Sequence, residues 1–244
     1  MRKTMKKSMG LIMALLMVFG VFAGTTNVFA ANNVISNYSQ SGWRINGEVD
    51  LSNVVSNSGH DVEENGSLYY KGNIGGVVEA SDLFKGAYDK YIKDYKGTLY
   101  WGKKVENLVM FNRDEKFPTA QYTIDFPDNF NVDFDNIVVT DNTALVSKIE
   151  KSYDKINNSV TFTFYLGNWN DYKGFFGLYE KEGTDGHPIT INVPYSVEIT
   201  DSAITNLGTI SSEGLCALYK GGNKLFNTQL VNVVAKKIDI NVNR

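Results

Sequence analysis

The chain has 244 residues, 43 % of them apolar, and a formal net charge of −3. An acidic balance argues against nucleic acid as the partner, because phosphate binding needs clustered Lys and Arg, and against adhesion to anionic lipid. Its one cysteine, Cys216, excludes an internal disulfide, so stability must come from a hydrophobic core, which this length permits.

Residues 1–30 open with Arg2, Lys3, Lys6 and Lys7, continue with the apolar run Leu11 to Phe22, and end in Val28-Phe29-Ala30. A cationic stretch, a short apolar segment and a small-x-small terminus are the three parts of a secretory signal peptide. The apolar run is about a dozen residues, short of the roughly 20 that span a bilayer. The sequence therefore predicts an exported protein cleaved after Ala30, and the lysine-rich start points to a Gram-positive bacterium. Loss of the four leader cations takes the net charge to −7. Residues 31–244 are expected to form a single extracellular domain, with a possible sub-boundary near 112–118.

Past the leader, apolar and polar residues alternate in five segments: Trp43 to Leu51, Thr119 to Phe126, Ser159 to Leu166, Ile189 to Ile199 and Lys237 to Val242. A period of two buries one face and wets the other, as in antiparallel sheets. Shorter strand candidates are Ser67–Lys71, Thr98–Trp101, Ile137–Thr140, Gly214–Lys220 and Gln229–Ala235. Turn clusters such as Asn157-Asn158, Gly183-Thr184-Asp185-Gly186 and Lys220-Gly221-Gly222-Asn223 separate the segments. Two stretches break the pattern. Leu83, Phe84, Ala87, Tyr88, Tyr91, Ile92 and Tyr95 have helical spacing, with Ser81 or Asp82 as the expected N-cap and Gly97 just past the end. Phe175, Phe176, Leu178 and Tyr179 suggest a second, shorter helix. The predicted fold is mostly β, an antiparallel β-sandwich with two short helices at about 81–95 and 172–181.

Chemistry is sparse. The sequence holds no Gly-x-Ser-x-Gly elbow, no His-Glu-x-x-His and no Cys-x-x-Cys. A thiol nucleophile at Cys216 would need a histidine base, and only His60 and His187 exist, both in turn-like surroundings. Cys216 reads instead as a small buried hydrophobe. Asp133, Asp135 and Asn136, in an Asp/Asn-rich stretch from Asp125, are a weak calcium candidate that lacks EF-hand spacing. No cofactor is expected. Trp169 and Tyr172 stand among polar residues, where exposed rings could contact a glycan or a protein.

The strings Ala120-Gln-Tyr-Thr-Ile-Asp-Phe-Pro127, Asn136-Ile-Val-Val-Thr140, Ser159 to Asn168 and Ile189-Thr-Ile-Asn-Val-Pro-Tyr195 follow one another in an order that resembles the streptococcal surface repeat, or fibronectin-binding repeat, of Gram-positive adhesins. The resemblance spans roughly residues 40 to 242. It implies a secreted or surface-associated adhesion module, not an enzyme, that recognises a host or extracellular-matrix protein such as fibronectin. The stretch Ile240 to Arg244 carries no Leu-Pro-x-Thr-Gly signal, so the chain is expected to be freely secreted, held at the surface by another component, or a truncated part of something longer. The alternatives are a carbohydrate-binding module using Trp169 and Tyr172, and a secreted hydrolase using scattered carboxylates.

Overall fold

In the computed structural model the described residues are 30–35, 44–114, 116–168, 170–183, 186–221 and 228–244. The leader expected at 1–30 lies outside them but for Ala30. No helix among the described residues is long and apolar enough to cross a membrane.

The described residues form fifteen strands and two α-helices. In chain order they are β1 (Asn32–Val34), β2 (Ile45–Asp50), β3 (Ser56–Glu64), β4 (Ser67–Glu79), α1 (Ala80–Lys90), β5 (Leu99–Tyr100), β6 (Lys103–Lys104), β7 (Met110–Phe111), β8 (Thr119–Asp125), β9 (Phe130–Val132), β10 (Val138–Asp141), β11 (Val146–Asp154), β12 (Ser159–Leu166), α2 (Tyr172–Glu182), β13 (Pro188–Glu198), β14 (Asn206–Lys220) and β15 (Gln229–Asn243). One sheet runs β1-β2-β15-β14-β8-β12-β11, with β7 added beside β14. The second runs β10-β13-β4-β3, with β9 added beside β13. Among the described residues every strand pairing is antiparallel except β2 with β15. The mostly β, antiparallel fold with two short helices is the one the alternation predicts.

Strands from both sides of residues 112–118 share both sheets: β2 pairs with β15, and β4 with β13. The two sheets therefore draw on the whole length of the described chain.

The alternating segments form strands because their apolar positions fall on one face. Val160, Phe162 and Leu166 of β12 are buried, as are Ile124 of β8 and Val193, Tyr195 and Val197 of β13. Two strands carry no such signal. β3 reads Ser-Asn-Ser-Gly-His-Asp-Val-Glu-Glu, and β11 puts Lys148, Glu150, Lys151 and Asp154 outward. Both are sheet edges, where polar and charged side chains discourage pairing with another chain.

Helix α1 begins at Ala80, one residue before the expected cap. Glu79 takes the N-cap position without capping the helix. Its buried carboxylate accepts instead from the backbone N–H groups of Gly186 and His187, at 3.1 and 2.9 Å. The helix ends in a π-type turn, Tyr91–Tyr95. Helix α2 has a side-chain cap: the N–H of Gly174 donates to Asp171 Oδ1 at 2.7 Å. Aromatic rings bind the two helices together. Phe84 meets Phe175 edge-on at 5.2 Å, and Tyr91 stacks on Phe176 at 4.7 Å.

Candidate functional site

Trp169 lies outside the described residues. Tyr172 is the first residue of α2 and only 1 % exposed. Its hydroxyl donates to the Leu230 carbonyl at 2.8 Å, and its ring stacks on Tyr95 at 5.9 Å and an interplanar angle of 6°. The polar neighbours in the sequence suggested an exposed ring. The helical turn instead rotates Tyr172 into the core, so it is not a surface platform for a glycan.

Asp133, Asp135 and Asn136 frame a short 3₁₀ turn. Asn136 Nδ2 donates to Asp133 Oδ2 at 2.8 Å, a local side-chain turn. The ammonium of Lys151 donates to the carbonyls of Phe134 and Ile137, at 3.1 and 3.3 Å. A cation thus already holds the carbonyl oxygens of that turn. Among the described residues, no group of three or more His, Cys, Asp or Glu side chains is placed to hold a metal.

Two features that the alternation pattern does not announce stand out. The first is a groove between β3 and the C-terminal half of β15, lined by Ser56, Asn57, Ser58, Gly59, Tyr70, Ile240, Asn241 and Asn243. β3 is the last strand of its sheet. β15 pairs with β2 only over Val231 to Ala235, so among the described residues its stretch from Lys236 to Asn243 pairs on one side alone, with β14. Two strand edges that pair with no further strand among the described residues thus flank the groove. One end is clamped by Arg244, whose guanidinium donates to Asp61 at 2.6 and 3.1 Å. The floor is rigid. Gly59 and Gly72 are register partners on β3 and β4. A Cβ on Gly59 would lie 2.5 Å from the Tyr70 ring, and one on Gly72 2.3 Å from the Tyr195 ring. The glycines let the two rings lie flat on the sheet. Tyr195 donates to Asn57 Oδ1 at 2.7 Å. Burial pushes both phenols above their ordinary pKa, so they stay neutral donors.

The second feature is a cavity of about 200 Å³ between the sheets. Its origin is a run of small residues at inward positions. Tyr122 of β8, Gly214 of β14 and Ala235 of β15 are cross-strand neighbours, and so share one face. Ala120 lies two residues from Tyr122 on that face, and Cys216 two residues from Gly214. On the opposite sheet, Gly76 occupies the inward position between Ile74 and Val78, where a Cβ would strike the Val54 carbonyl at 2.5 Å. Three separate clusters of core side chains meet around this space. Were it filled by nothing, a cavity of this volume would cost about 5 kcal/mol at ~24 cal/mol per Å³. That is the size of a small domain's entire stability margin.

Cys216 forms part of the cavity wall, and its thiol lies 3.7 Å from the Thr119 carbonyl. Burial pushes its pKa up to about 12. The raised pKa means that its stabilising contribution is intact below the unfolded thiol pKa of about 9 and is lost as pH rises toward 12. Native protein at pH 8 should react with iodoacetamide about 10³-fold more slowly than urea-unfolded protein, because the thiolate is the nucleophile. Equal rates would show the thiol to be open to solvent.

No family model matches the chain, and no curated protein does. Among solved structures it is similar to ACE19, the collagen binding subdomain of the Enterococcus faecalis surface protein ACE, at 8 % identity and a TM-score of 0.31, covering 78 % of this chain and 97 % of that one. It is also similar to the C-terminal domain of the Streptococcus pyogenes antigen I/II-family protein AspA, at 11 % identity and a TM-score of 0.28, covering 76 % of this chain and 45 % of that one. A third similar structure is AvmM, which catalyses macrocyclization in alchivemycin A biosynthesis, at 8 % identity and a TM-score of 0.20, covering 86 % and 94 %.

Proposed function

We propose that the chain is an exported, non-catalytic adhesion module that recognises an extended segment of a host or extracellular-matrix protein such as fibronectin. The observation that carries this reading is the pair of strand edges along the β3–β15 groove that, among the described residues, pair with no further strand. An extended peptide added to a free edge gains main-chain hydrogen bonds from the edge and specificity from the pockets beside it. The edge of β3 is divided in a way that suits this. Its second half is guarded by Asp61, Glu63 and Glu64, with Asp61 held by Arg244 and Glu64 by Lys71. Its first half, Ser56 to Gly59, is neutral and lies directly on the groove. Charged edges repel added strands, so the neutral half is the docking segment. The leader-like residues 1–30 and the resemblance to the fibronectin-binding repeat support the same reading.

Binding of the purified protein to immobilised fibronectin, collagen and fibrinogen tests it. Ser58→Trp places a large ring at the exposed edge and should weaken the bound partner at least tenfold without changing the melting temperature. Absence of binding to all three matrix proteins, or binding that Ser58→Trp leaves intact, would overturn the proposal. The Ser and Asn side chains of the groove would also suit sugar hydroxyls, so glycan-array binding abolished by Ser58→Trp would transfer the site to the carbohydrate-binding reading.

A further inference from the structure

The cavity between the sheets adjoins the groove at Val55, which lines both, but its chemistry is the opposite. Its walls are Ile45, Val54, Leu83, Phe84, Ala120, Phe175 and similar side chains from both sheets and both helices. The polar atoms of its two wall tyrosines are already used: Tyr122 donates to Ser212 Oγ at 2.8 Å, and Tyr172 to the Leu230 carbonyl. A buried water needs two to four polar partners, and apolar cavities of about 150 Å³ stay dry and take up benzene or xenon. This one is larger, at about 200 Å³.

The space is also built in. Gly76 cannot take a side chain without striking the Val54 carbonyl, and Gly214 would bring a Cβ within 2.9 Å of the Gln121 carbonyl. Both close approaches are to backbone, which cannot rotate aside. The sheets are therefore held in an arrangement that leaves these inward positions bare, with Ala120, Cys216 and Ala235 beside them.

We propose that this cavity is a binding site for a hydrocarbon group, an aromatic ring or a short aliphatic chain, held between the sheets by apolar contact alone. The group arrives either as a free small molecule or as the tail of a larger one, and two probes separate these sources: toluene, which has no head group, and dodecanoate, which does. The purified protein is titrated with each by calorimetry and by thermal denaturation. Saturable one-to-one binding of at least one probe is expected, with a rise of several degrees in melting temperature at saturation. Toluene bound alone identifies a free hydrocarbon, and dodecanoate bound alone a tailed one. Ala120→Leu and Cys216→Leu each push a larger side chain into the space and should weaken binding at least tenfold while the protein still melts cooperatively. Should Ala120→Leu prevent folding, Cys216→Met carries the same test with a flexible side chain. Reaction of Cys216 with a small methanethiosulfonate gives a separate readout, since a bound hydrocarbon should slow it. The proposal is overturned if neither probe binds saturably, or if the filled variants bind as tightly as the original protein.

Discussion

Replacement of Tyr172 by alanine should destabilise the protein by about 3–5 kcal/mol, the range for truncating a fully buried aromatic side chain. At this chain size that corresponds to a drop of about 6–20 °C in melting temperature. The magnitude follows from what the ring touches. It packs against Tyr95, Tyr91 and Phe176, the ring stack that joins the end of α1 to α2. Its hydroxyl ties the start of α2 to β15 through Leu230. Removing the ring also enlarges the neighbouring cavity, so little of the loss is recovered by collapse. Tyr172→Phe separates the two contributions: it keeps the ring and should cost only about 1 kcal/mol, the usual net value of one hydrogen bond. Urea denaturation of both variants measures the difference. A loss below 1 kcal/mol for Tyr172→Ala would mean that the ring is not in the core.

The second large effect is expected at Asn158, in the turn between β11 and β12. Asn158 is buried and has φ +49°, the left-handed region that Asn tolerates better than most residues. Its Nδ2 donates to the carbonyls of Pro127 and Phe130, at 2.7 and 2.9 Å, and its Oδ1 accepts from Tyr153 at 2.7 Å. One side chain thus holds the loop that leads from β8 to β9. Asn158→Ala takes this donor from the Phe130 carbonyl and the acceptor from the Tyr153 hydroxyl, while the Pro127 carbonyl keeps the Phe130 N–H at 3.0 Å; with the unfavourable φ retained, it should cost about 2–4 kcal/mol at ~1–3 kcal/mol per orphaned group. Asn158→Gly relieves the backbone but not the lost bonds, and should be less damaging by about 1 kcal/mol. Equal losses in the two variants would show that the backbone conformation contributes nothing.

The strands legible in the sequence are those with one buried face. Ser159 to Leu166 was readable because Val160, Phe162, Phe164 and Leu166 recur at a spacing of two. β3 was not, because as an edge strand it has few apolar residues to alternate. The Gly72-to-Val78 part of β4 was hidden for another reason: its inward positions include Gly72 and Gly76, which carry no apolar side chain to count. Both helices were visible from their spacing. The cap of α1 was not, since Ser81 and Asp82 fit the local preference while the start at Ala80 is set by Glu79 reaching across to Gly186 and His187.

The candidate sites divide in the same way. Tyr172 looked exposed because its sequence neighbours are polar, but burial is decided by the direction in which a helix turns a side chain. The groove needed the knowledge that β15 outruns β2, a register that no local pattern records. Ala120, Gly214, Cys216 and Ala235 share no local pattern, and become a cavity wall only when pairing sets them side by side.

By itself the sequence determined the strand-rich class, the two helices, the acidic charge and the absence of disulfides, because periodicity and composition are local properties of the chain. Only the tertiary structure decided which edges stay unpaired and where small residues coincide, because both depend on strand register between segments as far apart as β2 and β15.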